Sequence, residues 1–257
     1  MPTSNAFVWR DRFKASGIHF GISLVIALMA ALLVFGLWYP YPYREISGGR
    51  ELFLIVVIVD VILGPLITLA VFNRAKPWRE LRRDLLVVAL IQLAGLGYGL
   101  WAVFVARPVH MVFEYDRFRV VHAVDVPLEL LAQAPPGVDA LPLFGPTLLS
   151  LRPFRDSQEK MKATMAALEG LSLSAQPNLW QPYAAAIPEI LKEARPVSEL
   201  KARFVNQASE IDRVLVSTGR APQVLVYLPM VGRKSFWTVF LDPVTADVMA
   251  FMPLDSF

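Results

Sequence analysis

Three kinds of residue in this 257-residue chain could do chemistry: serines three positions before a lysine, three histidines, and a carboxylate inside an apolar run. A Ser-x-x-Lys spacing can set a serine nucleophile beside a lysine base. It occurs at Ser157/Lys160 and again at Ser198/Lys201, each time in the first turn of an expected helix, where Ser caps amides and Lys faces water. The companion Ser-Asp-Asn and Lys-Thr-Gly motifs are absent, which favours capping over catalysis. His19, His110 and His122 show no metal-ligand spacing, and His110 is expected to be a solvated or hydrogen-bonded strand residue. With no cysteine, disulfides, thiolate nucleophiles and Cys-ligated zinc or iron–sulfur sites are excluded. Gly-x-Ser-x-Gly, Walker A and dinucleotide-binding glycine patterns are missing too, so no catalytic, cofactor or metal residue is expected.

Asp60 stands apart. A carboxylate midway along an apolar span must be paired, hydrated or protonated. Gln92 and Tyr98 lie within about 7 Å of its depth on the third span, at 1.5 Å per residue. Two readings stay open: an interhelical hydrogen bond, or a docking point for a partner's membrane helix. Gly64-Pro65, four residues on, should kink the span and free a backbone carbonyl. Gly17-x-x-x-Gly21 and Gly95-x-x-x-Gly99 would allow close helix approach, within the bundle or to another membrane protein.

These residues need membrane helices to position them. Hydrophobic residues make up 55% of the chain and the mean hydropathy is +0.48, too apolar for a water-soluble globular protein. Apolar runs at 17–38, 52–72 and 85–105 are each long enough to cross a bilayer. The first follows Arg10, Arg12 and Lys14 but ends in aromatics with no small-residue cleavage site, so it reads as an uncleaved anchor. Basic flanks stay cytoplasmic. The N-terminus carries three and the 73–84 loop five, against two in the 39–51 loop, which places the N-terminus inside and everything after residue 106 outside. The aromatic run Trp38–Tyr43 is expected at the outer interface. Residues 1–106 carry net charge +4 and residues 107–257 net −1, so the basicity belongs to membrane flanks and nucleic-acid binding is not expected.

Residues 107–257 form the second expected domain. Val109–Tyr115 and Arg117–Ala123 read as a hairpin turning at Tyr115-Asp116. Its pairing puts Met111, Phe113, Phe118 and Val120 on a core face and His110, Glu114, Arg117 and Arg119 on the other. A Pro- and Gly-rich loop over 125–147 with one helical turn follows. Next comes a helix opened by Asp156-x-x-Glu159, with Met161, Met165 and Leu168 on one face and Gly170 closing it. Helices are then expected over 182–194 and 198–218, the latter with Leu200, Phe204, Ala208, Ile211 and Leu215 in periodic array. Strands at 223–228, 235–241 and 247–252 complete an α+β domain with an antiparallel sheet.

Four motifs, in order, resemble one family. They are Lys14-Ala15-Ser16-Gly17-Ile18-His19, the run Val59–Leu69 around Asp60 and Gly64-Pro65, Phe72-Asn73-Arg74-Ala75-Lys76-Pro77, and Ala106–Val109 continuing through Phe113–Val121. They resemble the type IV pilin accessory proteins of the TfpX/TfpZ group, most strongly over 14–123. The resemblance implies a multi-pass inner-membrane protein of a Gram-negative bacterium with a periplasmic C-terminal domain. Such a protein is encoded with a pilin and helps that pilin assemble into pili. The family has no established catalytic residues. Lys14, His19, Asp60, Gly64, Pro65, Lys76, Pro77, Glu114, Asp116, Arg117 and Arg119 match its motifs and are candidates for packing or for docking the pilin's membrane helix or head; Gln92 joins them as Asp60's expected partner. A membrane-anchored sensor of a periplasmic ligand and a membrane enzyme are the alternatives. A sensor would need a cytoplasmic output domain, for which the short inner segments leave no room.

Overall fold

The computed structural model describes residues 5–220 and 224–257, so the start of the strand expected at Gln223 lies outside the described residues. The chain forms two compact units, 5–40 with Gly49–Val105 and Tyr41–Gly48 with Ala106–Phe257.

The first unit holds three helices long and apolar enough to cross a bilayer, over Trp9–Trp38, Gly49–Val71 and Trp78–Val105. Each extends beyond the apolar run that marks it, because charged residues at helix ends still complete backbone hydrogen bonds. The first helix turns its small residues inward. Ser23, Ala27, Ala30 and Val34 are buried at steps of 4, 3 and 4 while Ile22, Val25, Leu28 and Leu32 face out. This is the order expected where the surroundings are as apolar as leucine and packing, not exclusion from water, joins helices. Of the paired glycines, Gly99 meets a neighbour, Val56, where a Cβ would collide, so it lets the third helix close on the second; Gly17, Gly21 and Gly95 have open space where a Cβ would be.

Aromatics expected at the interface are instead partly claimed by protein. Tyr39 is fully buried, its hydroxyl donating to the Val103 carbonyl at 3.0 Å. Only Tyr41 in the Tyr39–Tyr43 stretch is exposed, at 58%. Tyr43 and Ile46 belong to the core of the second unit, where the Tyr43 hydroxyl reaches Met111 Sδ at 3.4 Å and burial pushes its pKa up. Ile46 packs against Gly232, whose missing side chain makes the space, and its carbonyl accepts from the Lys234 amide.

The second unit is built on an eight-stranded sheet with β1 Pro108–Glu114, β2 Arg117–His122, β3 Thr147–Leu151, β4 Trp180–Pro182, β5 Arg195–Pro196, β6 Val226–Val231, β7 Phe236–Leu241 and β8 Val248–Met252. The order is β4-β3-β1-β2-β6-β7-β8, with β5 beside β6. The β1–β2 hairpin forms with Glu114 opposite Arg117 and Tyr115 at φ 59°, a left-handed value that turn positions require. The sheet is mixed, not antiparallel: β3 runs parallel to β1 and β6 parallel to β2. Long connections carry the chain back before each of these strands, and side-chain alternation is the same for either direction.

Both faces of the sheet are covered. Met111, Phe113, Phe118, Leu228 and Trp237 form one core with Tyr43, Ile46 and Ile190. On the opposite face Val112, Val121, Leu149 and Trp180 form a second core, and Tyr227 and Phe240 pack with Leu200, Ile211 and Leu215 in a third. The face expected to be charged is therefore largely apolar and buried, which is why every residue of β1 is inaccessible. Two helix readings are also corrected. Asp156 caps Ser157–Leu168 as expected, accepting from the Glu159 amide at 2.7 Å, but Met161, Met165 and Leu168 are exposed and Ala163 is buried. The expected helix over 198–218 is broken at Phe204 into Val197–Arg203 and Ala208–Val216, which lets Leu200 and Leu215 enter one core. Tyr183–Ala186 is 3-10 and only Ile187–Glu193 is α-helical in the segment expected at 182–194, since Pro182 closes β4.

Candidate functional site

The sequence candidates gather at two places, one in each unit. In the bundle, the second helix changes register before its proline. Gly49–Val57 and Gly64–Val71 are α-helical, and Ile58–Leu63 between them is a π-helix. In that register a carbonyl accepts from the residue five ahead. For Asp60 that residue is Pro65, which has no N–H. Gln92 of the third helix fills the gap: its Nε2 donates to the Asp60 carbonyl at 3.1 Å and stands 3.4 Å from Asp60 Oδ1. Asp60 is 5% exposed, so its side chain faces the bundle. Gly64 makes the contact possible, because a Cβ there would collide with the Gln92 amide. Tyr98, the other partner weighed for Asp60, is 71% exposed and lies beside Trp101.

The next turn of the second helix is tied to the first. Ser16 Oγ donates to the Pro65 carbonyl at 2.9 Å, and His19 Nδ1 is 2.5 Å from Thr68 Oγ1. Ser16 and Thr68 were not singled out from the sequence; the only available signal was the i, i+3 spacing of Ser16 and His19, which puts them on one face. Lys76 pairs with Asp84 at 2.6 Å, beside Pro77 at the start of the third helix.

The second place is the tip of the β1–β2 hairpin. Glu114 is buried and takes a 2.7 Å bond from Arg119 Nε, while Arg117 Nε bonds its neighbour Asp116 at 2.8 Å. The Arg117 guanidinium also lies 5.0 Å from the centre of the Phe257 ring. Beside Arg117 opens a cleft of about 730 Å³ with Phe113, Leu151, Phe154 and Leu179 as apolar lining and Arg152, Glu189 and Lys192 at its polar margin. Arg152 is fixed in the wall by a two-point bond to Glu159, at 2.6 and 2.9 Å, and by the Asn178 carbonyl at 2.8 Å. Those bonds, with the Arg155 amide, hold the Glu159 carboxyl down at about 2. An apolar floor with a fixed guanidinium at its margin can seat an apolar group beside an anionic one.

The remaining candidates are occupied structurally. His110 bonds Thr147 Oγ1 at 2.7 Å and the Ala140 carbonyl at 3.0 Å, packs on Trp180, and is pushed down to about 4 by burial. His122 Nδ1 meets Asp125 at 3.1 Å. Lys201 is taken by Asp212, at 2.7 Å, and not by Ser198. Among the described residues no cluster of three or more His, Asp or Glu forms a metal site.

No solved structure matches the chain. Residues 7–48 match the family model described as Fimbrial assembly protein FimB. The serogroup I and serogroup E1 fimbrial assembly proteins of Dichelobacter nodosus are 34% and 33% identical over 246 residues, covering 95% of this chain and 95% of each relative. The protein of serogroups C1 and C2 from the same organism is 41% identical over 121 residues, 47% of this chain and 92% of its own length. The matched stretch 7–48 contains Ser16 and His19 of the bundle seam and the segment that enters the second unit's core. The likeness carried by the four motifs thus extends along nearly the whole chain, and the chain belongs to the family of fimbrial assembly proteins.

Proposed function

We propose that this protein is a non-enzymatic inner-membrane accessory factor that holds its cognate type IV pilin during assembly into pili. The observation that carries the reading is the 34% identity, over 95% of both chains, to a protein named for fimbrial assembly. The arrangement fits that task. A bundle whose first helix leaves Gly17 and Gly21 open offers a pilin's membrane helix a close approach. The cleft beside Arg117 offers its head an apolar seat with a charged rim. In this reading Asp60, Gly64, Pro65 and Gln92 shape the second span, while Glu114, Arg117 and Arg119 set the charge pattern near the cleft.

We place the N-terminus in the cytoplasm and the second unit in the periplasm. Two observations support this placement: residues 41–48 fold with the chain after residue 106, which fits both segments on one side of the bilayer, and the basic flanks favour the outer side for them. The test is deletion of the gene with complementation in its own host. Pilin made at normal level but retained in the inner membrane, with few surface pili, is expected; undiminished surface pili would overturn the proposal.

A further inference from the structure

The third span carries cations that the bundle does not use. Arg79, Arg82 and Arg83 stand at i, i+3 and i+4 of helix Trp78–Val105 and so share one face. With Trp78 and Leu86 they line a cleft of about 360 Å³. Nearby cations are held: Lys76 lies 2.6 Å from Asp84 and Arg74 3.2 Å from Asp11. Arg83, 73% exposed, reaches no closer than 3.9 Å to Asp84, and Arg79 and Arg82 have no carboxylate partner among the described residues.

The same face continues as an apolar track. Leu86, Leu90 and Leu93 are 56%, 57% and 60% exposed, and the track from Leu86 to Leu93 runs about 10 Å along the helix at 1.5 Å per residue. Trp78, 71% exposed, sits at the arginine end, where an amphipathic ring meets lipid headgroups. Guanidinium forks match phosphate oxygens in pairs, and the leucine track matches hydrocarbon. We propose that this face binds an anionic phospholipid, its phosphate held by Arg79, Arg82 and Arg83 and its acyl chains laid along Leu86, Leu90 and Leu93. Free phosphate would leave the apolar track unused, and an acidic polypeptide would meet leucines immediately below the arginines.

The test is native mass spectrometry of the full-length protein in detergent with added phosphatidylglycerol or phosphatidylcholine, a readout separate from piliation. The wild type should retain phosphatidylglycerol selectively. Arg79→Gln with Arg82→Gln should lower that retention about tenfold or more, while Lys160→Gln with Lys162→Gln, an equal charge loss on exposed lysines of the second unit, should not. Should the first variant fail to accumulate, Arg79→Lys with Arg82→Lys keeps the basic flank and should lower retention about threefold through loss of the planar forks. Unchanged retention in the arginine variants overturns the proposal. So does displacement of the lipid by millimolar inorganic phosphate, or equal retention of a polyglutamate peptide.

Discussion

A side chain at position 64 would push the Gln92 amide off the Asp60 carbonyl, so Gly64→Ala and Gln92→Leu should act alike. Each should cost about 0.6–2 kcal/mol, the range of interhelical hydrogen bonds, and lower the thermal midpoint of the purified protein in detergent. Asp60→Leu should cost less than Gln92→Leu, because the shorter bond from Gln92, 3.1 Å, goes to the backbone carbonyl at 60, which survives the substitution. If Asp60→Leu accumulates normally yet loses crosslinking to pilin, the carboxylate docks the partner; Asp60→Asn, which keeps a donor and an acceptor, then separates charge from hydrogen bonding. His110 supplies a pH prediction. Its folded pKa of about 4 lies below the ordinary 6.5, so the unfolded chain binds the extra proton between those values. Stability is retained above pH 6.5 and falls as pH drops toward 4, by about 3 kcal/mol. Unfolding of the wild type at stepped pH should show this slope, and His110→Gln should flatten it. Asp125, where bonds from His122 outweigh burial, and Asp242, which accepts from the Val244 and Thr245 amides, are both held below the usual carboxylate range and titrate beneath this window.

The β1–β2 hairpin was legible because its alternation and turn are local, and its register is the one the sequence predicts. What covers its second face was not legible. Trp180 and Leu149 arrive from elements distant in sequence, one of them a three-residue strand with no periodicity to detect. The same limit explains the parallel pairings and the break at Phe204, where an uninterrupted 3.6-residue pattern gave way to a corner that buries both halves in one core. It also explains Gln92, which depth alone marked as a partner for Asp60 but which Gly64 admits. At this scale the hairpin charges can be tested. Arg117→Ala with Arg119→Ala should leave insertion intact and weaken pilus display, through slower association and a changed salt dependence, if the hairpin tip meets the pilin head. Arg119→Ala alone also strands buried Glu114, so Arg117→Ala is the cleaner of the two. Unchanged piliation in the double variant would leave both arginines as structural ion pairs.

The second unit is assembled from two stretches separated by two spans, and this ties its fold to the threading of the chain. Ile46, fully buried in the core with Met111 and Phe118, is covalently part of the loop between the first and second spans. Ile46→Ala should therefore destabilise the unit by about 2–5 kcal/mol, the usual cost of truncating a buried isoleucine, and expose it to added protease although it lies far outside 106–257. Loss confined to the bundle, with the second unit still protease-resistant, would contradict this packing. Topology follows from the same constraint combined with charge. The proposed threading puts residues 41–48 and everything after 106 on one side of the three spans, and it takes that side as periplasmic from the eight-to-two bias of basic flanks. A periplasm-active reporter fused after Phe257 should work and one fused at Lys76 should not. Activity at Lys76 and silence at Phe257 would invert the protein, move the Arg117 cleft into the cytoplasm and remove it from the pilin head. Activity at neither or both sites would contradict the three-span threading itself, because in it the span Trp78–Val105 alone separates Lys76 from Phe257.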